Sequence, residues 1–297
     1  VRIVVPNGAT FGQVTDTLVA HDLVSHPLWF RILAKVRGVQ RSTQAGTYDL
    51  PQGQSAWALL SALRDGRVAI RRFTSPEGLT LTEVAAEAER QLGLPADSFL
   101  VAAHDTLLMR SLGIDGKDLE GYLLPETYTI PVTTTARELV RLMAEQFVAS
   151  WDPAWGLELT DRKLSRRQVI ILASIVEGEA RVNEERPIIA AVYDNRIRLG
   201  MPLQADPTVQ YAYELKHGHR RKRLYLKDYT IRSPYNTYLI PGLPPGPVNS
   251  PGIASIRASV FPASVPYLYF VADTGGHHVF TSTYGEHLRA IRRIRGR

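Results

Sequence analysis

The chain has 297 residues, 44% hydrophobic and 22% charged, a globular balance that suits one large or two unequal domains. It holds no cysteine, which excludes a disulfide framework, a cysteine-ligated zinc and a cysteine nucleophile. The net charge of +6 favours polyanionic partners, but the runs Arg220–Arg223 and Arg289, Arg292, Arg293, Arg295, Arg297 lack the interleaved aromatics of a nucleic-acid platform and read as solvated surface.

No stretch approaches the roughly 18 apolar residues of a membrane span. The chain opens without methionine in what reads as a strand, so any anchor or signal is expected upstream.

Residues 1–72 read as a compact β-α-α-β-α-β unit. A strand at Val1–Val5 is followed by a helix capped by Thr10, carrying Phe11, Val14, Leu18 and Val19. A second helix follows Pro27, Gly46–Leu50 is a short strand, Ser55 caps a third helix, and Val68–Phe73 is a strand. Residues 73–150 are mainly helical, interrupted by Pro76-Glu77-Gly78, by Leu94-Pro95 and by a polar, aromatic loop at 120–128.

Residues 165–213 read as two consecutive helices within a core that spans 151–297. The first has a Ser165/Gln168 capping box and an apolar run from Val169 to Val176, so it is expected to be buried on every face. The second starts near Pro187 and ends at Gly200. Residues 232–252, rich in proline and glycine, form a rigid irregular loop. A strand at Tyr267–Ala272, a turn at Gly275-Gly276 and a last helix close the chain. The fold class is α+β: a small β/α module, then a mixed catalytic domain at 73–297 around a buried central helix.

Among polar residues Glu177 stands out. It ends the buried helix, shares a face with Ile170, Ala173 and Ser174, and lies at the negative end of the helix dipole. Apolar neighbours and the dipole both disfavour its ionised form, as a general acid requires, although a helix merely reaching solvent reads the same way. Glu179 points about 200° away, so the two are not expected to pair. Glu184 and Glu185 are expected to serve the positive end of the next helix, and Asp206 to cap a helix starting at Pro207. Tyr235-Asn236-Thr237-Tyr238 offers aromatic faces and hydrogen-bonding groups suited to sugars, or a plain edge strand. His277 and His278 point apart in a strand without zinc-ligand spacing, and hydrolase, P-loop and dinucleotide motifs are missing.

Three stretches, Leu119–Tyr128, Leu172–Glu177 and Leu203–Val209, together resemble the MltG (YceG-like) family of endolytic peptidoglycan transglycosylases. Ser233–Tyr238, running through Gly242–Pro247 to Pro251-Gly252, and Tyr267–Ala272 with the following Gly-Gly-His also fit, so the resemblance covers residues 73–290. The leading 72 residues, with Ala45-Gly46-Thr47-Tyr48, are similar to the LysM-like module that precedes the catalytic part in this family.

The resemblance implies that Glu177 is catalytic and that Ala180 stands where the family commonly has threonine. It implies non-hydrolytic cleavage between N-acetylmuramic acid and N-acetylglucosamine, leaving 1,6-anhydro ends, with no metal or organic cofactor. The implied setting is a single N-terminal membrane anchor, with the catalytic part on the extracytoplasmic side and peptidoglycan synthases as partners. Candidate substrate-binding residues are Glu120, Glu126, Gln204, Asp206, Tyr235, Asn236, Tyr238 and Asn249, and their loops are expected to border Glu177. The rivals are a non-catalytic glycan-binding scaffold and a hydrolase using Asp206 or Glu126 as base. An aminodeoxychorismate lyase label used for some relatives finds no support, since no Schiff-base lysine stands out.

Overall fold

A computed structural model describes residues 1–296; Arg297 of the basic tail lies outside them. The architecture is α+β, helix-rich, with three separate two-stranded sheets among the described residues. None of the described helices is long and apolar enough to cross a membrane. The described residues form two compact units, one of residues 1–73 with 127–135, the other of 74–126 with 136–296.

The first unit contains β1 (Arg2–Val5), α1 (Phe11–Ala20), α2 (Pro27–Val36), β2 (Gly46–Asp49), α3 (Ala56–Arg64), β3 (Ile70–Thr74) and β4 (Thr127–Pro131). β1 runs antiparallel to β2, from Arg2 opposite Asp49 to Val5 opposite Gly46. Strand alternation buries Ile3 and Val5 against Leu18, Tyr48, Leu59 and Leu63, with Phe11 and Phe30 stacked at 5.9 Å. The expected caps Thr10 and Ser55 both accept backbone N–H bonds at their helix starts.

β3, read from the sequence as the module's last strand, joins neither β1 nor β2. Its partner is β4, formed by Thr127 and Tyr128 of the expected loop together with the residues that follow. Phe73 and Tyr128 stack at 6.3 Å across that pair.

The second unit holds α4 (Leu81–Leu92), α5 (Ala96–Ala103), α6 (Thr106–Ser111), α7 (Ala136–Ala149), α8 (Trp155–Asp161), α9 (Arg166–Glu179), α10 (Arg186–Arg198), α11 (Asp206–His217), α12 (Ile253–Val260), β5 (Tyr269–Ala272), β6 (His278–Thr281) and α13 (Tyr284–Arg295). α9 is the buried central helix. Ser165 and Gln168 form the expected capping box, and Val169–Val176 are all buried. Full burial of each large aliphatic side chain there stabilises the fold by roughly 1.5–3 kcal/mol. α10, α11 and α12 pack around α9, their apolar faces meeting Leu172, Ile175 and Val176.

Other readings change as well. The stretch 165–213 holds α9, α10 and most of α11, because the Leu203–Ala205 segment separates α10 from α11. The last strand becomes a hairpin, β5 pairing antiparallel with β6 from Tyr269 opposite Thr281 to Ala272 opposite His278. His277 therefore lies in the turn, and both histidines reach Glu185, at 3.3 Å and 2.6 Å from Nδ1, instead of pointing apart. Glu185 stands at the N-terminal end of α10, as expected, but its side chain makes no cap hydrogen bond there.

Arg220 and Arg221, read as solvated surface, are tied down. Arg220 donates to the Gly78 carbonyl, and Arg221 meets both Asp228 oxygens and the Tyr213 hydroxyl.

Candidate active site

The end of α9 carries two carboxyls into different surroundings. The helix does not stop at Glu177: it continues through Gly178 to Glu179. A Cβ on Gly178 would lie 2.5 Å from Cγ of Pro207, so only glycine lets the start of α11 pack this close.

Glu177, its side chain 6% exposed, meets the Arg186 guanidinium at 3.1 Å, while its other oxygen accepts the Gly252 N–H at 3.0 Å. Arg186 also donates to Ser255 at 2.5 Å and to Asn183 at 3.1 Å. It lies 3.6 Å from Glu77, so one buried guanidinium serves two carboxylates. Burial and the neighbouring Glu177 charge raise the Glu77 carboxyl above its ordinary value, and Arg186 opposes them. Apolar neighbours and the helix end are legible for Glu177 in the sequence; Arg186 and Gly252 are reached through tertiary contacts that periodicity does not show.

Glu179 faces a polar cleft of about 550 Å³, lined among others by Tyr193, Arg196, Gln204, Asp206, Tyr229 and Tyr238. Its Oε1 accepts the Tyr193 hydroxyl at 3.1 Å and the Asp206 N–H at 3.2 Å; Oε2 has no protein partner among the described residues. Burial first, then the Asp206 charge, push the Glu179 carboxyl up to about 7, outweighing the two hydrogen bonds and Arg196, which lower it.

Asp206 is the first residue of α11 but does not cap it. Its side chain turns into the cleft, where Oδ1 accepts the Tyr238 hydroxyl at 2.7 Å and Oδ2 the Tyr229 hydroxyl at 3.2 Å. Burial first, then the Asp206 charge and these bonds, push the Tyr229 hydroxyl up to about 12 and the Tyr238 hydroxyl higher still, so both remain donors. Arg196 is a strut, donating to the Leu268 and Leu203 carbonyls at 2.7 Å each and thereby tying the hairpin to the cleft's edge.

The other predicted residues divide. Gln204, Asp206 and Tyr238 meet at the cleft with Glu179. Asn236 is buried behind it, its amide donating to the Tyr229 and Ile231 carbonyls, so it shapes the loop that presents Tyr238. Asn249 donates to the Ser174 carbonyl at 2.8 Å, and a Cβ on Gly178 would come within 3.5 Å of its amide nitrogen.

Glu120 and Tyr235 line a separate small pocket beside Arg167 and Pro245–Pro247. There the buried Glu120 carboxyl, raised to about 8 chiefly by burial, accepts the Leu81 N–H at the start of α4. Tyr235 packs edge-on against Tyr211 at 4.8 Å. Glu126 is exposed outside both pockets, its carbonyl accepting the Ser75 N–H. The expectation that all these loops border Glu177 gives way: three of the residues converge on Glu179.

Glu179, Tyr193, Arg186 and Glu77 take functional places that the sequence does not assign to them. The available signal for Glu179 is a second carboxyl two residues along the same helix, set aside because it points about 200° from Glu177 and does not pair with it. Among the described residues no group of three or more His, Asp or Glu side chains is arranged to hold a metal ion.

The model of the YceG-like family matches residues 3–293. An endolytic murein transglycosylase of Bacillus subtilis is 32% identical, the alignment spanning 98% of this chain and 83% of that protein. The endolytic murein transglycosylase of Streptococcus pneumoniae serotype 2 is 31% identical, over 98% of this chain and 58% of its own length. The crystal structure of a yceG-like protein from Listeria monocytogenes superposes with a TM-score of 0.68 at 28% identity, covering 97% of this chain and 98% of that one.

Proposed function

Because the chain belongs to the YceG-like family, we propose that it cleaves murein glycan strands internally, with Glu179 as the proton donor. The observation that carries this reading is a carboxyl raised to about 7 in a polar cleft, with one oxygen still open to a ligand. A group of that kind is protonated in a useful fraction near neutral pH and can donate to a glycosidic oxygen.

The C1–O bond between N-acetylmuramic acid and N-acetylglucosamine breaks as Glu179 protonates the leaving oxygen. The Glu179 carboxylate then takes the proton of the muramyl C6 hydroxyl, whose oxygen closes on C1 to form the 1,6-anhydro ring. No water is consumed, so one carboxyl serves both steps, unlike the two-carboxylate glycosidases. Tyr193 and the Asp206 N–H hold Oε1 still, and the tyrosine-braced Asp206 carboxylate beside Glu179 is the group available to stabilise oxocarbenium character at C1.

A hydrolytic second reading has one observation in its favour, the Asp206 carboxyl beside Glu179 in the same cleft. Both Asp206 oxygens are engaged by tyrosine hydroxyls, which argues against its activating water. Mass spectrometry of digested glycan strands separates the two: ends lacking one water support ring closure, and reducing ends overturn it.

The same reading places the catalytic part outside the cytoplasm on an N-terminal anchor, ending strand growth beside the synthases. The β1-α1-α2-β2 order supports a LysM-like first module.

A further inference from the structure

Helix α2 is apolar on two sides. Phe30 and Ala34 are buried in the first unit's core, with Leu33 packed against it. On the other side Leu28, Ile32 and Val36, spaced four apart, form a stripe with Trp29 beside it, and these four are 70%, 43%, 75% and 70% exposed. A surface helix ordinarily turns polar residues to solvent, and single exposed apolar residues need no explanation, but four in one stripe do.

Cations flank the stripe. Lys35, Arg37 and Arg41 are exposed and have no acidic partner among the described residues. The Arg37 guanidinium lies 4.3 Å over the Trp57 ring, which carries the apolar face onto α3. Residues 1–73 contain nine Lys and Arg, four Asp and no Glu, so this stretch holds most of the chain's excess positive charge.

We propose that this face of α2 seats the chain on an anionic bilayer surface. Leu28, Trp29, Ile32 and Val36 enter the headgroup region, and Lys35, Arg37 and Arg41 lie over lipid phosphates. An aromatic and aliphatic face beside cations is the pattern of a helix lying in the membrane interface. A second copy is disfavoured as occupant because pairing the faces brings like charges together. A glycan strand has polar rims and no apolar depth to receive both Leu28 and Val36.

The test is co-sedimentation of the whole chain with phosphatidylglycerol-containing vesicles and with pure phosphatidylcholine vesicles. Binding to the anionic vesicles, weakened by salt, is expected, with a loss of about tenfold or more in Trp29→Ser/Val36→Ser and in Lys35→Glu/Arg41→Glu. All four positions are exposed, and unchanged circular dichroism and thermal midpoints establish that the variants fold; Leu28→Ser/Ile32→Ser serves if one does not. Failure to bind, binding indifferent to lipid charge, or binding unchanged in these variants overturns the proposal. So does self-association, or retention on purified glycan strands, that the same substitutions abolish, since either gives the face a different occupant.

Discussion

Glu177 and Glu179 are separated by one glycine and share no partner: the first meets Arg186 at 3.1 Å, the second the Tyr193 hydroxyl at 3.1 Å. Two carboxyls on one helix end therefore answer to different electrostatics. Glu179→Gln should keep the fold and glycan binding while lowering cleavage by about 10²–10⁴-fold, the span of general acid-base catalysis. Glu177→Gln should lower the thermal midpoint and retain measurable cleavage. Turnover of defined strands by both variants decides; the reverse pattern returns the acid to Glu177.

The pH dependence follows from the raised carboxyls. Cleavage should fall as pH rises through about 7, where Glu179 loses its proton. Stability should follow the same sign. Glu179 and Glu120, raised to about 7 and about 8 from 4.5, bind more protons folded than unfolded. Their contribution is fully present below 4.5 and is lost as pH rises through the folded values. Urea unfolding at pH 5 and pH 8 should show this loss, smaller in Glu179→Gln; equal slopes in the two proteins would count against the burial of Glu179.

Gly178→Ala should destabilise by about 1–3 kcal/mol, because the new methyl meets Pro207, and should also reduce cleavage by moving Glu179 off the Asp206 N–H. Gly156→Ala is the control. It lies in α8 with nothing within 4 Å of the added Cβ, so the change should be neutral or stabilise by up to ~1 kcal/mol. Thermal denaturation of the pair checks both.

Arg186→Met removes the guanidinium that pairs with both Glu77 and Glu177. Leaving a buried partner uncompensated costs about 3–5 kcal/mol. A midpoint that recovers at low pH would identify charge and not lost packing as the cause.

What the sequence could show was local. Thr10, Ser55 and Ser165 announce helix starts because a cap bonds within three residues, and the run Val169–Val176 announces a buried helix because nothing polar interrupts it. The site was half legible. Gln204, Asp206 and Tyr238 stood out as polar groups in unusual loops, but the carboxyl they serve did not, since its environment depends on Tyr193 and α11. Arg186 gathers Glu77, Glu177 and Ser255 from three distant stretches, and spacing says nothing about such a junction. The β3–β4 pair was missed for the same reason: its two strands lie far apart in the chain.

That pair ties the order of synthesis to the order of folding. β3 leaves the ribosome well before β4, with α4, α5 and α6 made in between, so the first unit waits with an open strand edge while part of its neighbour is already out. Such an interval is when non-native strand pairing threatens, and charged Arg71 and Arg72 on β3 are suited to discourage it. Shortening the chain meets the same constraint. Removing residues 1–72 strands β4 without its mate, so a clean excision of the first unit must also take out 127–135.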